Sequence, residues 1–201
     1  DKAFCVGADL KERAAFSLDD FYANREQMRT MFTSLRAVPQ PTIASVFGFA
    51  LGGGFELALS CDLIIAAEGA TMGLPEVRVG LLPAGGGTQL LTRRVGLGRA
   101  KEMIFRGRLI DAVEAEQFGI VTRVVPRPEL DDEAMELARE VCKSSPVAVR
   151  EAKRAIDSAF GLFDIGIEIE NEAWRRVIVT DDRAEGIAAF NDKRAPVWRN
   201  K

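Results

Sequence analysis

Three observations predict an α/β protein with a mostly parallel sheet in its first half and helices in its second. Short β-branched runs, Thr42–Val46 and Asp62–Ala67, alternate with helical stretches that begin at glycines, the pattern of strands joined by crossover helices. From Gly98 onward helical patterning dominates, and Ile120–Val125, between Gly119 and Pro126, is its strand-like interruption. The 201 residues are 47 % apolar and 28 % charged with a mean hydropathy of +0.00, globular proportions that support a sizeable core.

The elements follow in order. Phe4-Cys5-Val6 reads as an apolar strand that turns at Gly7, followed by a charged patch, Lys11-Glu12-Arg13. A helix is expected from Leu18 to Arg36, because Phe21, Met28, Met31, Phe32 and Leu35 recur at three and four. Ser17 offers its N-cap, Asp19 and Asp20 its first-turn acids, and Pro39 and Pro41 its end. The Thr42–Val46 strand runs through Gly48 and Ala50 into Gly52-Gly53-Gly54, after which Phe55–Ser60 has helical propensity. Asp62–Ala67 is a second buried strand and Thr71–Pro75 is extended; the turn Leu82–Gly87 opens a helix at Thr88. Helices are expected over Glu129–Lys143, Val147–Phe160, Ile165–Val177 and Asp181–Asp192. This divides the chain into a core, 1–128, and a helical region, 129–201, with no linker composition between them.

Absences narrow the chemistry. Without histidine there is no Ser-His-Asp triad, no Cys-His dyad and hardly any catalytic zinc site. Cys5, Cys61 and Cys142 are odd in number and far apart, unlike a disulfide scaffold or a CxxC knuckle; Cys61 reads as a small buried apolar residue. A net charge of −3 recruits neither nucleic acid nor an anionic membrane. The longest apolar stretches, such as Ile43–Leu51, are too short to span a bilayer, and no basic-then-apolar leader opens the chain. The opening, Asp1–Val6, reads as the interior of a longer sequence. The expected compartment is the cytoplasm, or the mitochondrial matrix in a eukaryote. Carboxylates, backbone dipoles or lysines are left to do the chemistry.

The strongest local feature is Ala50-Leu51-Gly52-Gly53-Gly54-Phe55-Glu56-Leu57-Ala58. A strand, three glycines and a helix put free N–H groups at a helix N-terminus, where negative charge is stabilised. A tight turn without a ligand satisfies the same residues. A phosphate loop does not, since neither GxxxxGK[ST] nor GxGxxG is present. Glu56 on that first helical turn and Glu76 in Leu74-Pro75-Glu76-Val77 are acids that a histidine-free enzyme could use for proton transfer at a carbonyl compound. Each read alone is a solvated acid. The turn Gly7-Ala8 is a second source of a backbone N–H for the same pocket.

These motifs occur in a series. Phe4-Cys5-Val6-Gly7-Ala8-Asp9-Leu10-Lys11-Glu12, the Gly52-Gly53-Gly54 segment, Cys61-Asp62 and Gly73-Leu74-Pro75-Glu76 are followed by Pro83-Ala84-Gly85-Gly86-Gly87-Thr88-Gln89. Asp182-Arg183-Ala184-Glu185-Gly186 and Phe190-Asn191-Asp192-Lys193-Arg194 complete it. The series resembles the enoyl-CoA hydratase (crotonase) superfamily across essentially the whole chain. Gly7–Ala14 is especially similar to the methylglutaconyl-CoA hydratase branch, some members of which bind AU-rich RNA. The family's usual N-terminal strands and helix, which precede the Phe4-Cys5 strand, are not in this sequence, and Leu90 follows Gln89 where many relatives carry Arg.

The resemblance implies a crotonase-like spiral of ββα repeats with a C-terminal helical trimerisation region. It implies a homotrimer or hexamer acting on an acyl-CoA substrate, with no cofactor beyond the coenzyme A of the substrate and no metal. It assigns Ala8 and Gly53 to the oxyanion hole, Glu56 and Glu76 to acid/base chemistry, and Leu10, Lys11, Phe190 and Lys193 to CoA binding. The expected activity is hydration of a 2-enoyl-CoA thioester, with 3-methylglutaconyl-CoA as one candidate. Arg13 is then a candidate for that substrate's distal carboxylate, against a solvated role beside Glu12 or Asp9. An enoyl-CoA isomerase and an RNA-binding crotonase-like protein are the alternatives; no DNA or membrane partner is expected. Arg150, Lys153 and Arg154 are the best support for RNA, but Glu151 and Asp157 interleave with them as on a solvated face. Trp174 and Trp198 read as packing or interface residues.

Overall fold

In the computed structural model, which describes residues 2–144, 146–157 and 163–199, the chain alternates between two sheets. Strand β1 (Ala3–Cys5) is followed by helices α1 (Leu10–Ala14) and α2 (Leu18–Arg36). Two ββα units come next. β2 (Ile43–Val46), β3 (Phe49–Leu51) and α3 (Gly53–Leu59) form the first. β4 (Leu63–Ala67), β5 (Thr71–Gly73) and α4 (Gly87–Arg106) form the second, with a 3-10 turn, Glu76–Val79, before its helix. Each unit gives its first strand to one sheet and its second strand to the other, so the backbone winds as a spiral. One sheet has the order β2-β4-β7 and the other β1-β3-β5-β6, where β6 is Leu109–Asp111 and β7 is Arg123–Val125. All neighbours are parallel except β5 and β6.

The remaining helices are α5 (Ala112–Gln117), α6 (Leu130–Val141), α7 (Pro146–Asp157), α8 (Phe163–Ile178) and α9 (Asp181–Asn191). The last three residues expected for the helix after Val147, numbers 158–160, lie outside the described residues. Ser17 caps α2 as expected, in a reciprocal box with Asp20. Four elements were not expected, α1, β3, β6 and α5; each is six residues or fewer, too short to carry a period. The strand expected over Ile120–Val125 shortens to β7. Ile120 instead donates its N–H to the Ala115 carbonyl and is wholly buried. α4 is interrupted at Gly96, whose φ of 77° and ψ of 164° are not helical.

The main core fills the space between the sheets and α3, α4 and α5, around Phe55, Ile64, Met72 and Ile110. A second cluster joins α2, α8 and α9 through Phe21, Trp174, Ile178 and Ile187. A third, Ile65, Val125 and Leu130, seats α6 on the β2-β4-β7 sheet. α7 is tied down by charge. Lys153 Nζ lies 2.6 Å from Asp62 Oδ2 and donates to the Gln40 carbonyl at 3.2 Å, with only 11 % of its side chain exposed. The expectation that Lys153 belongs to a solvated face is therefore corrected, while Arg154 and Glu151 do pair in solvent.

Candidate active site

β1 and β3 are parallel neighbours, so their carboxyl ends deliver the Gly7-Ala8 and Gly52-Gly53 turns side by side. The approach is close enough to require glycine. Gly7 has φ +80°, and a Cβ there would stand 3.0 Å from the Gly53 nitrogen. A Cβ on Gly54 would lie 2.0 Å from the Cys5 carbonyl oxygen, so the first turn of α3 rests directly on the end of β1. Gly52 is the N-cap of α3 and supplies no side-chain cap, and the first N–H groups of a helix have no partner within it. Ala8 precedes Asp9, whose carboxylate accepts from the Lys11 N–H and caps α1.

Two carboxylates flank the Gly52-Gly53 turn. A Cβ on Gly52 would lie 3.2 Å from Glu76 Oε1, and one on Gly53 would lie 4.0 Å from Glu56 Oε2. Glu56 is 4 % exposed, and its Oε1 accepts from the N–H groups of Gly85 (2.7 Å) and Gly87 (2.8 Å) at the start of α4. These are charge-assisted bonds from a helix N-terminus, and they hold one oxygen while the other faces the turn. Arg36 of α2 donates to the Gly85 carbonyl at 3.2 Å and braces that loop. Glu76 opens the 3-10 turn after β5. There α9 packs so closely that a Cβ on Gly186 would lie 2.3 Å from the Val79 carbonyl oxygen.

Both turns and both glutamates border one cavity of about 750 Å³. Leu10, Arg13, Met28, Phe32, Trp174 and Phe190 also line it, so α1, α2, α8 and α9 close it. Of the residues expected at CoA, Leu10 and Phe190 are in the wall; Lys11 and Lys193 are exposed and outside it. Arg13 does not pair with Glu12 or Asp9. It faces the cavity and donates from Nη2 to Asn24 Oδ1 at 2.9 Å. Burial disfavours the Arg13 charge, and the carboxylates of Glu56, Glu12 and Glu76 favour it against the opposing Arg25. Trp174 is buried, under the Arg25 guanidinium at 5.6 Å, whereas Trp198 is exposed. Cys61 is half-buried, and burial pushes its thiol pKa up.

Sequence reasoning missed the part of the wall that comes from α2. Phe21, Asn24, Arg25, Met28 and Phe32 share one helical face, and the polar pair inside that apolar stripe was the available signal. It also missed the Gly85 and Gly87 N–H groups as the support of Glu56, since a bond between residues 29 apart in the chain leaves no local pattern.

Among the described residues no helix is long and apolar enough to cross a membrane, and no group of three or more Cys, Asp or Glu could hold a metal ion. Comparison with known proteins matches all of residues 1–201 to the enoyl-CoA hydratase/isomerase family. A probable mitochondrial enoyl-CoA hydratase of Arabidopsis thaliana is 43 % identical over 196 residues, 97 % of this chain and 65 % of its own length. Human mitochondrial methylglutaconyl-CoA hydratase is 41 % identical over 203 residues, 98 % of this chain and 60 % of that protein. The chain thus spans a little under two thirds of these curated relatives. A crystal structure of enoyl-CoA hydratase from Bacillus anthracis superposes with a TM-score of 0.77 at 45 % identity, covering 100 % of this chain and 78 % of that one. The paired glycine turns, the two glutamates and a match along the full length agree: the chain belongs to the enoyl-CoA hydratase/isomerase family.

Proposed function

We propose that this chain adds water across the 2,3 double bond of a 2-enoyl-CoA thioester. The observation that carries the reading is the convergence of Glu56 and Glu76 on the Gly52-Gly53 turn, beside Ala8. Addition of water pushes electrons onto the thioester oxygen and creates an enolate-like state. The N–H groups of Ala8 and Gly53 would stabilise it, one such donor being worth ~10²–10³ in rate. Glu56, with one oxygen tethered by two N–H groups, would bind the water and take its proton; Glu76 would deliver a proton to C2. Two carboxylates around one water titrate as a pair.

Both glutamates stand at the turn, which favours hydration over isomerisation, since an isomerase can shuttle its proton on a single carboxylate. Leu10 and Phe190 would contact CoA from the wall, with Lys11 and Lys193 reaching its phosphates from outside. Assembly as a homotrimer or hexamer, in cytoplasm or mitochondrial matrix, is part of this reading, and light scattering checks the oligomer. The test of function is hydration of crotonyl-CoA, a longer 2-enoyl-CoA and 3-methylglutaconyl-CoA, each also followed for double-bond migration. Migration without hydration would select the isomerase; turnover of none would overturn the reading.

A further inference from the structure

We propose that Arg36, the last residue of α2, is a positioning residue for Glu56: by fixing the Gly85–Gly86 peptide plane it holds one Glu56 oxygen in place so that the other meets the attacking water. The inference rests on the hydratase reading above and deepens it. Gly85 and Gly87 both donate to Glu56 Oε1, at 2.7 and 2.8 Å, so two N–H groups must converge on one oxygen. They come from a run of three glycines, the residue with the most backbone freedom to lose on folding. Side chains have no room there. A Cβ on Gly85 would fall 2.3 Å from the Phe32 ring and 2.7 Å from Glu56 Oε2, and one on Gly87 would fall 2.8 Å from Glu56 Oε1. The run therefore cannot stiffen itself and has to be held from outside.

Helix α2 holds it with two residues one turn apart, Phe32 and Arg36. The Phe32 ring lies against Gly85, and Arg36 Nη1 donates to the Gly85 carbonyl at 3.2 Å. That carbonyl and the Gly86 N–H belong to one planar peptide unit, which lies between the two donors to Glu56. Gly86 has φ +115°, and a Cβ on it would stand 3.3 Å from the same Arg36 nitrogen, so the guanidinium also packs beside this unit. Arg36 is half-buried, and a charged donor makes the stronger bond to a carbonyl. The competing role for Arg36 is to complement the negative end of the α2 dipole, which would act on stability alone.

Two reactions of the same site separate the roles. Hydration of crotonyl-CoA uses both glutamates. Exchange of the C2 proton of butyryl-CoA in D2O uses Glu76 and the Ala8 and Gly53 N–H groups. Glu76 takes the proton, the electron pair moves to the thioester oxygen, and a solvent deuteron returns to C2. Wild type, Arg36→Met and Arg36→Lys are compared by initial rates, deuterium incorporation and thermal melts. Arg36→Met is expected to lower kcat for hydration by about 10-fold, with KM and the exchange rate within about 2-fold of wild type. Arg36→Lys, which retains a charged donor, is expected to keep more of kcat. A loss shared equally by hydration and exchange overturns the proposal, as does a Lys variant no better than Met. A lowered melting temperature with both rates intact also overturns it, making Arg36 a complement to the helix dipole. Should Arg36→Met not fold, Arg36→Gln is read by the ratio of hydration to exchange: a reduced ratio supports the proposal and a wild-type ratio overturns it. Wild-type hydration that no Arg36 variant alters sinks the proposal alone and leaves the hydratase reading standing. A wild type that hydrates no 2-enoyl thioester sinks both.

Discussion

Glu56 and Glu76 meet at one turn but are held there by different physics. Glu56 sits inside a helix and is fixed by hydrogen bonds: one oxygen takes the N–H groups of Gly85 and Gly87. Glu76 sits on a four-residue 3-10 turn, and that turn is fixed by contact. Gly80 and Gly186 let α9 approach so closely that Cβ atoms there would fall 2.5 Å from the Asp182 carbonyl oxygen and 2.3 Å from that of Val79. One carboxylate is tied by a few directional bonds from within the core. The other depends on a helix more than a hundred residues further along the chain. Damage to the C-terminal helices should therefore reach Glu76 before it reaches Glu56.

The largest effect should come from the carboxylates themselves. Glu56→Gln and Glu76→Gln should each lower kcat for crotonyl-CoA by ~10²–10⁴, and the double variant should be little worse than either, because both act on one water. Near-normal turnover by Glu76→Gln would dissolve the comparison.

Next come the supports. Gly186→Ala forces a Cβ against backbone, which cannot yield locally. It should cost about 1–3 kcal/mol of stability by denaturant titration and lower kcat by up to ~10² through a displaced Glu76. Gly85→Ala places its Cβ 2.3 Å from the Phe32 ring and 2.7 Å from Glu56 Oε2, both side-chain atoms. It should lower kcat with a smaller loss of stability. Equal kinetics and stability in the two variants would show that the two supports do not differ.

A smaller effect should follow Lys153→Ala, which removes the ion pair that ties α7 to the start of β4. Asp62 keeps its bonds from the Thr42 N–H (2.7 Å) and hydroxyl (2.9 Å), so the loss should be about 1 kcal/mol, with kcat unmoved. A change in kcat larger than in stability would place α7 in the site.

The smallest effect belongs to Glu185, whose bond from Arg194 lowers its pKa from 4.5 to about 2. Its folded pKa is depressed, so its contribution is present above pH 4.5 and is lost as pH falls toward 2. The pair is exposed, and salt should weaken it. Glu185→Gln should lower the melting temperature slightly at neutral pH, where the contribution is present, and flatten the acid limb of the thermal-melt profile, so that variant and wild type converge as pH falls toward 2.

The sequence alone determined what local patterns can encode. The alternation of β-branched runs with glycine-led helices was enough for a parallel α/β chain, and the Ser17 cap and the Phe21–Leu35 stripe were enough for α2. The order of the glycine and glutamate motifs was enough for the family. Only the tertiary structure decided which N–H groups tether Glu56, which helix braces Glu76, and that Arg13 faces the cavity instead of solvent. The reason is range. A cap or a helical stripe is written within a few residues, whereas Glu56 to Gly85, Lys153 to Asp62 and Gly186 to Val79 are contacts between segments 29 to more than a hundred residues apart. Such contacts exist only once the spiral has closed, because it is the parallel pairing of β1, β3 and β5 that brings their carboxyl ends together.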